Sequence, residues 1–197
     1  MVTKGEETRE RILDRAFRLA SRDGLEGLSI GGLATDLGLS KSGLFAHFGS
    51  KEDLQVAVLE MAAAEFETAV MRPAFRAARG LPRLKKMFDL WLSWADDPGK
   101  PGGCVFMAAS TELDDHEGRP REHLVETQKR LFAAIEKTAQ LAVEEGHFRK
   151  DLDVEQLAFE LYSILLGYNQ RKRLLRAPDA GSRARTAFDR LVAWASR

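Results

Sequence analysis

Between residues 29 and 51 the apolar positions keep a helical spacing that breaks once. Ile30, Leu33, Ala34 and Leu37 fall at i, i+3, i+4 and i+7, which places them on one face of a short helix. Gly38 follows, a residue suited to the left-handed dihedrals at which helices stop. Ser40 offers a hydroxyl to cap a second helix, in which Leu44 and Phe48, four apart, point inward together. Lys41, Ser42, Gly43, Phe45 and His47 are left outward. Two short helices joined by a Gly-containing turn make a helix-turn-helix, whose second helix can lie in a DNA major groove. Ser50 reads as the cap of a further helix, with Asp53 in the capping-box position.

The same spacing extends over the rest of the chain. A helix from Glu6 to about Asp23 carries Ile12, Leu13, Ala16, Phe17 and Ala20 on one face and ends at Gly24; it completes a three-helix core. From Lys51 to about Met71, Leu54, Val58, Met61, Ala62, Glu65, Phe66 and Ala69 mix two registers, so much of that helix is buried, and Pro73 ends or kinks it. Leu81-Pro82 opens a fifth helix lined by Leu84, Met87, Phe88, Trp91 and Leu92. Residues 96–103 are a loop by composition. Helices are expected over about 104–113 and 120–145, the second ending at Gly146. Asp153 and Ser182 then cap the last two. Sustained period-two stretches are missing. The expected fold is all-α, about nine helices: an N-terminal three-helix domain over residues 1–50 and a larger C-terminal helical domain over 51–197.

Charge adds little. The 197 residues sum to a formal net charge of zero, and residues 1–51 hold eight Lys/Arg against seven Asp/Glu. No basic excess advertises nucleic acid; what matters is the local field at a docking face. The outward set of the second short helix suits that use. Lys41 and Lys51 supply charge for phosphates, Ser42 reaches base or backbone, Gly43 admits a groove wall, Phe45 packs on sugar or a thymine methyl, and His47 donates to a phosphate. The amides that start the helix at Lys51 offer an anion site. The candidate DNA-facing residues are Ser29, Thr35, Ser40, Lys41, Ser42, Gly43, Phe45, His47 and Lys51. Arg9 and Arg11 could reach backbone phosphate, though Glu6, Glu7 and Glu10 beside them fit an ordinary solvated face.

A single cysteine, Cys104, allows no intrachain disulfide and fits a reducing cytoplasm. Its place at the expected helix start leaves two readings, a small buried residue or a thiol activated by the helix dipole. The first residues lack the apolar run of a signal peptide, and no stretch approaches a membrane span; a cytoplasmic protein with no membrane partner is expected. His116 and His123, seven apart, do not chelate from one helix face, so no metal is expected. Arg171, Lys172, Arg173 and Arg176 are explained by a helix C-terminus. No phosphate loop, nucleophile elbow or zinc spacing is present, so neither enzyme nor cofactor is expected.

The run Ser40-Lys-Ser-Gly-Leu-Phe-Ala-His-Phe-Gly-Ser-Lys-Glu-Asp-Leu54 resembles the recognition helix and fourth-helix start of TetR/AcrR-type transcriptional regulators. The family's pattern there is Tyr, one residue, His or Tyr, Phe, two residues, Lys, Glu or Asp, one residue, Leu. His47, Phe48, Lys51, Glu52 and Leu54 match it. Phe45 stands where Tyr is usual and lacks the hydroxyl that commonly bonds a phosphate in the family. The match covers about the first quarter of the chain.

The resemblance implies a homodimer on double-stranded, pseudo-palindromic operator DNA, most often a repressor released by a small, largely apolar effector. It implies an effector pocket in the C-terminal helices, for which Phe66, Met87, Trp91, Trp94, Phe106, Met107 and Phe132 are candidates; without the resemblance the same stripe reads as plain core. It also implies pairing of the last two helices with a second copy, for which Ile164, Leu165, Tyr168, Phe188, Leu191 and Trp194 are candidates. The alternative is an all-α small-molecule-binding protein, or a cryptic enzyme, with a non-functional helix-turn-helix.

Overall fold

The computed structural model describes residues 3–97 and 102–197; the middle of the loop expected over 96–103 lies outside the described residues. Among those described there are nine helices and no strand. They are α1 (Lys4–Asp23), α2 (Ile30–Leu37), α3 (Lys41–Phe48), α4 (from Lys51–Phe66), α5 (Leu81–Ala95), α6 (Val105–Glu112), α7 (Arg119–Glu144), α8 (Val154–Arg173) and α9 (Ala180–Ala195).

The starts follow from local chemistry. Thr3 and Glu6 close a full capping box on α1, and Ser29, Ser40 and Asp153 accept from the third amide of α2, α3 and α8. Gly38 ends α2 at φ +66°, as its position predicts.

Two boundaries differ from the sequence reading. Pro73 does not stop α4 near Met71. The helix runs through a π turn, Glu67–Met71, into a last turn, Arg72–Phe75, and the Arg72 amide bonds the Glu67 carbonyl five residues back. Widening the turn before a proline makes room for its ring and absorbs the missing donor. The last helix starts at Ala180, and Ser182 sits one turn inside with its hydroxyl on the Asp179 carbonyl at 2.9 Å.

The chain packs as two compact units. The first is Met1–Glu65 with Asp97–Glu126, and the second is Phe66–Asp96 with Thr127–Arg197. The first unit is thus larger than the 1–50 domain expected, because α6 packs on α1. The buried Ser21 hydroxyl accepts from the Gly102 amide at 3.0 Å, and the Glu112 carboxylate accepts from the Glu26 amide at 3.0 Å. Gly24, at φ +82°, is required there: a Cβ would sit 1.6 Å from Glu112 Oε1. Ile12, Phe17, Leu25, Leu28, Leu33, Leu44 and Leu54 fill this unit's core.

In the second unit Phe88 stacks on Phe188 at 4.1 Å between centroids. Phe66 meets Trp91 and Trp94 edge-on at 4.9 and 5.1 Å, and Phe132 lies 5.0 Å from Tyr162. Asp179 clasps Arg171 and Arg183, which fixes the turn between α8 and α9.

Candidate nucleic-acid interface

Leu44 and Phe48 are buried and seat α3 on the first unit's core, while its other face stays open. Lys41 and Ser42 are exposed, Phe45 is 47% exposed, and Gly43 and His47 are half-buried. Ser40 caps the helix through the Gly43 amide at 3.0 Å and lies 3.2 Å from the Ser42 hydroxyl. The Lys41 stem lies along Gly31; a Cβ at residue 31 would approach Lys41 Cε to 3.0 Å. Ser29 and Thr35 are exposed on α2, the first accepting from the Gly32 amide and the second donating to the Gly31 carbonyl, both at 3.0 Å.

Lys51 stands apart from that group. Its ammonium donates to the Glu26 carbonyl at 3.0 Å and to the Glu26 carboxylate at 3.2 Å. Lys51, then Gln55, holds the Glu26 carboxyl below its usual range. The α4 start also carries negative charge: Asp53 accepts from the Ser50 hydroxyl at 2.6 Å and pairs with Arg119. The anion site expected there from the amides and Lys51 is therefore already engaged from both sides.

Ion pairs sort the remaining charge on α1. Arg15 pairs with Asp36, Arg18 with Asp14 and Arg22 with Asp23. Among the described residues Lys4, Arg9, Arg11 and Lys41 make no ion pair, so the free cations of the first sixty-five residues lie on the first half of α1 and the start of α3. Sequence balance hid this, because pairing across 21 residues, as in Arg15 with Asp36, is set by packing rather than by spacing.

Elsewhere the candidates divide. Phe66, Met87, Trp91, Trp94 and Phe132 belong to the second unit, the first four of them buried, but Phe106 and Met107 belong to the core of the first unit. Of the residues expected on a pairing face, Leu165, Tyr168 and Phe188 point into the second unit's own core. Leu191 is buried, Ile164 is half-buried and Trp194 is 37% exposed. Burial pushes the Cys104 thiol up to about 11, outweighing the Met107 and Phe106 amides that pull it down, so no activated thiolate forms. No group of three or more metal-ligating side chains, and no helix long and apolar enough to cross a membrane, occurs among the described residues.

Residues 12–58 match the family described as bacterial regulatory proteins, tetR family. Residues 80–188, more than half of the chain, match the tetracyclin repressor-like C-terminal domain. The chain belongs to the TetR/AcrR family of transcriptional regulators.

Among its relatives is the HTH-type transcriptional repressor AcnR of Corynebacterium efficiens, 28% identical over 166 residues, 83% of this chain and 81% of that protein. A TetR transcriptional regulator from Chloroflexus aurantiacus superposes with a TM-score of 0.81 at 26% identity, over 97% of this chain and 95% of the other. AibR, solved in complex with isovaleryl coenzyme A and operator DNA, shares the fold with a TM-score of 0.69 at 23% identity, over 82% and 85% of the two chains. This TetR/AcrR member is accordingly a DNA-binding transcriptional regulator and not an enzyme.

Proposed function

We propose that the chain works as a homodimeric repressor that reads a pseudo-palindromic operator with α3 and leaves it when a small, largely apolar ligand enters the C-terminal helices. The observation that carries the reading is the open face of α3. Lys41, Ser42 and Phe45 are exposed on a helix whose other side is anchored by the buried Leu44 and Phe48. Lys41, Ser42, Gly43 and Phe45 meet base edges and adjacent backbone, Ser29, Thr35, Ser40 and His47 meet phosphates, and Lys51 joins them once it leaves Glu26.

One head reads few base pairs, so two heads are needed, one helical turn or a multiple apart. Phe159, 60% exposed, with Ile164, Ala187 and Trp194, lines a concavity of about 410 Å³ on α8 and α9 that a second copy would fill. Arg149 stacks on Trp194 at 4.1 Å and holds its ring in place. This face keeps Ile164, Leu191 and Trp194 from the set drawn from sequence and adds Phe159 and Ala187, while Leu165, Tyr168 and Phe188 are buried beneath it.

For the ligand, Phe66, Met87, Trp91, Trp94 and Phe132 supply apolar and aromatic wall. The buried Trp91 indole N–H has no hydrogen-bond partner among the described residues, a donor that a ligand acceptor would satisfy. AibR, which shares the fold, was solved with an acyl coenzyme A and operator DNA together. By linkage, a ligand that favours the released state weakens DNA by the factor by which DNA weakens the ligand.

The test is titration of the chain against duplexes taken from upstream of its own and neighbouring genes, with stoichiometry from sedimentation. Two chains per site are expected, along with loss of sequence preference for Ser42→Ala and Lys41→Ala. Binding by single chains, or Lys41→Ala with unaltered affinity and preference, would overturn it. Equal operator affinity at saturation with every ligand found to bind would remove the release step.

A further inference from the structure

The structure assigns a further phosphate contact to Arg9, held over the end of the recognition helix by the Phe48 ring. This rests on the DNA-binding reading above and names a residue outside its contact set. The Arg9 guanidinium carbon lies 5.0 Å from the Phe48 ring centroid, a cation–π distance. Phe48 is the last residue of α3 and only 5% exposed, whereas Arg9 is exposed. A residue of α1 is thereby fixed at the C-terminal end of the helix that reads the bases.

Dimensions say why that place needs a cation. An eight-residue helix is about 12 Å long, on the scale of the major groove's width, so a long cationic side chain carried at either end of α3 is within reach of a flanking phosphate. Lys41 stands at the N-terminal end. At the other end the obvious lysine, Lys51, is held by Glu26. Arg9 is the cation there that makes no ion pair among the described residues. Of its acidic neighbours, Glu6 is committed to the Thr3 amide at 2.7 Å, and Glu7 and Glu10 make no ion pair with it. A guanidinium stacked on a ring keeps its edge N–H groups free and loses little freedom when they meet a phosphate.

A purely structural role, in which Arg9 offsets the carbonyl end of α3, would show in melting and not in the salt response. The experiment is fluorescence anisotropy on a pool of random 30-base-pair duplexes across a salt series, with thermal melting of each variant. Arg9→Met keeps a chain over Phe48 without the charge; Arg9→Lys keeps the charge. For Arg9→Met the slope of log affinity against log salt should fall by about 0.9 per head engaged, which is about 8-fold in affinity per head at 0.1 M salt. Arg9→Lys should hold the slope, and the melting point of Arg9→Met should fall by no more than loss of one exposed cation–π contact allows.

An unchanged slope in Arg9→Met, with the parent binding steeply, overturns the assignment and leaves the DNA-binding reading standing. Equal loss in Arg9→Lys and Arg9→Met places the effect in packing and also overturns it. A parent chain with no affinity for any duplex removes both together.

Discussion

Replacing Glu26 by Gln should make this regulator bind DNA more tightly. In the free protein Lys51 spends its ammonium on Glu26, at 3.2 Å to the carboxylate and 3.0 Å to the carbonyl. To hold a phosphate it must give up the carboxylate. Both side chains are well exposed, 40% and 49%, so the pair contributes about 0.2–1 kcal/mol rather than the several a buried pair can reach. Removing the competing charge returns that amount to the complex, an increase in affinity of about 1.4- to 5-fold per head. The backbone carbonyl contact persists in the variant and limits the gain. The assay is a double-mutant cycle by anisotropy at 0.1 M salt, with Glu26→Gln, Lys51→Ala and the pair. The gain should vanish on the Lys51→Ala background, because the two residues act through one contact. A gain of the same size without Lys51 would mean that a general loss of negative charge is at work. No gain in either background would mean that Lys51 does not contact DNA.

Three further outcomes follow from the packing. Leu44→Ala empties a fully buried site under α3 and should cost the first unit about 2–5 kcal/mol, read by hydrogen exchange of the α1–α3 amides; unchanged protection would contradict the seating of α3. Arg171, then Arg183, holds the Asp179 carboxyl well below its usual range. A lowered folded-state pKa gives stability that is present above the unfolded value, about 4, and lost as pH falls through the folded one. Asp179→Asn should therefore melt lower than the parent at pH 7, with the gap narrowing below about pH 4; a gap independent of pH would contradict this. Cys104, with its thiol pushed up to about 11, should alkylate at pH 8 about 10²-fold more slowly than a free thiol, and fast labelling of the native chain would contradict its burial.

What could be read from the sequence was what spacing and caps determine locally. Gly38 and Ser40 mark the end of the first short helix and the start of the second, and Leu44 and Phe48 the inward face of the second, because each signal acts within four residues. The pairing face could not be separated from core on α8 and α9. Their apolar stripes are wide, and only tertiary packing turns Leu165, Tyr168 and Phe188 inward while Phe159 stays out. Phe106 and Met107 shared the composition of the other aromatic and Met residues, yet they pack in a different unit. The engagement of Lys51 by Glu26 and the stacking of Arg9 on Phe48 join residues 25 and 39 positions apart, beyond any local pattern. Ser182 was a plausible cap, but the turn set by Asp179 and its two arginines starts α9 earlier.

The central claim, that paired copies of α3 read the major groove, is tested most directly by methylation interference at guanine N7 on a duplex selected from a random pool. Two patches of interference, related by a twofold axis and one helical turn or a multiple apart, are predicted. A single patch, or selected duplexes on which N7 methylation has no effect, would contradict it.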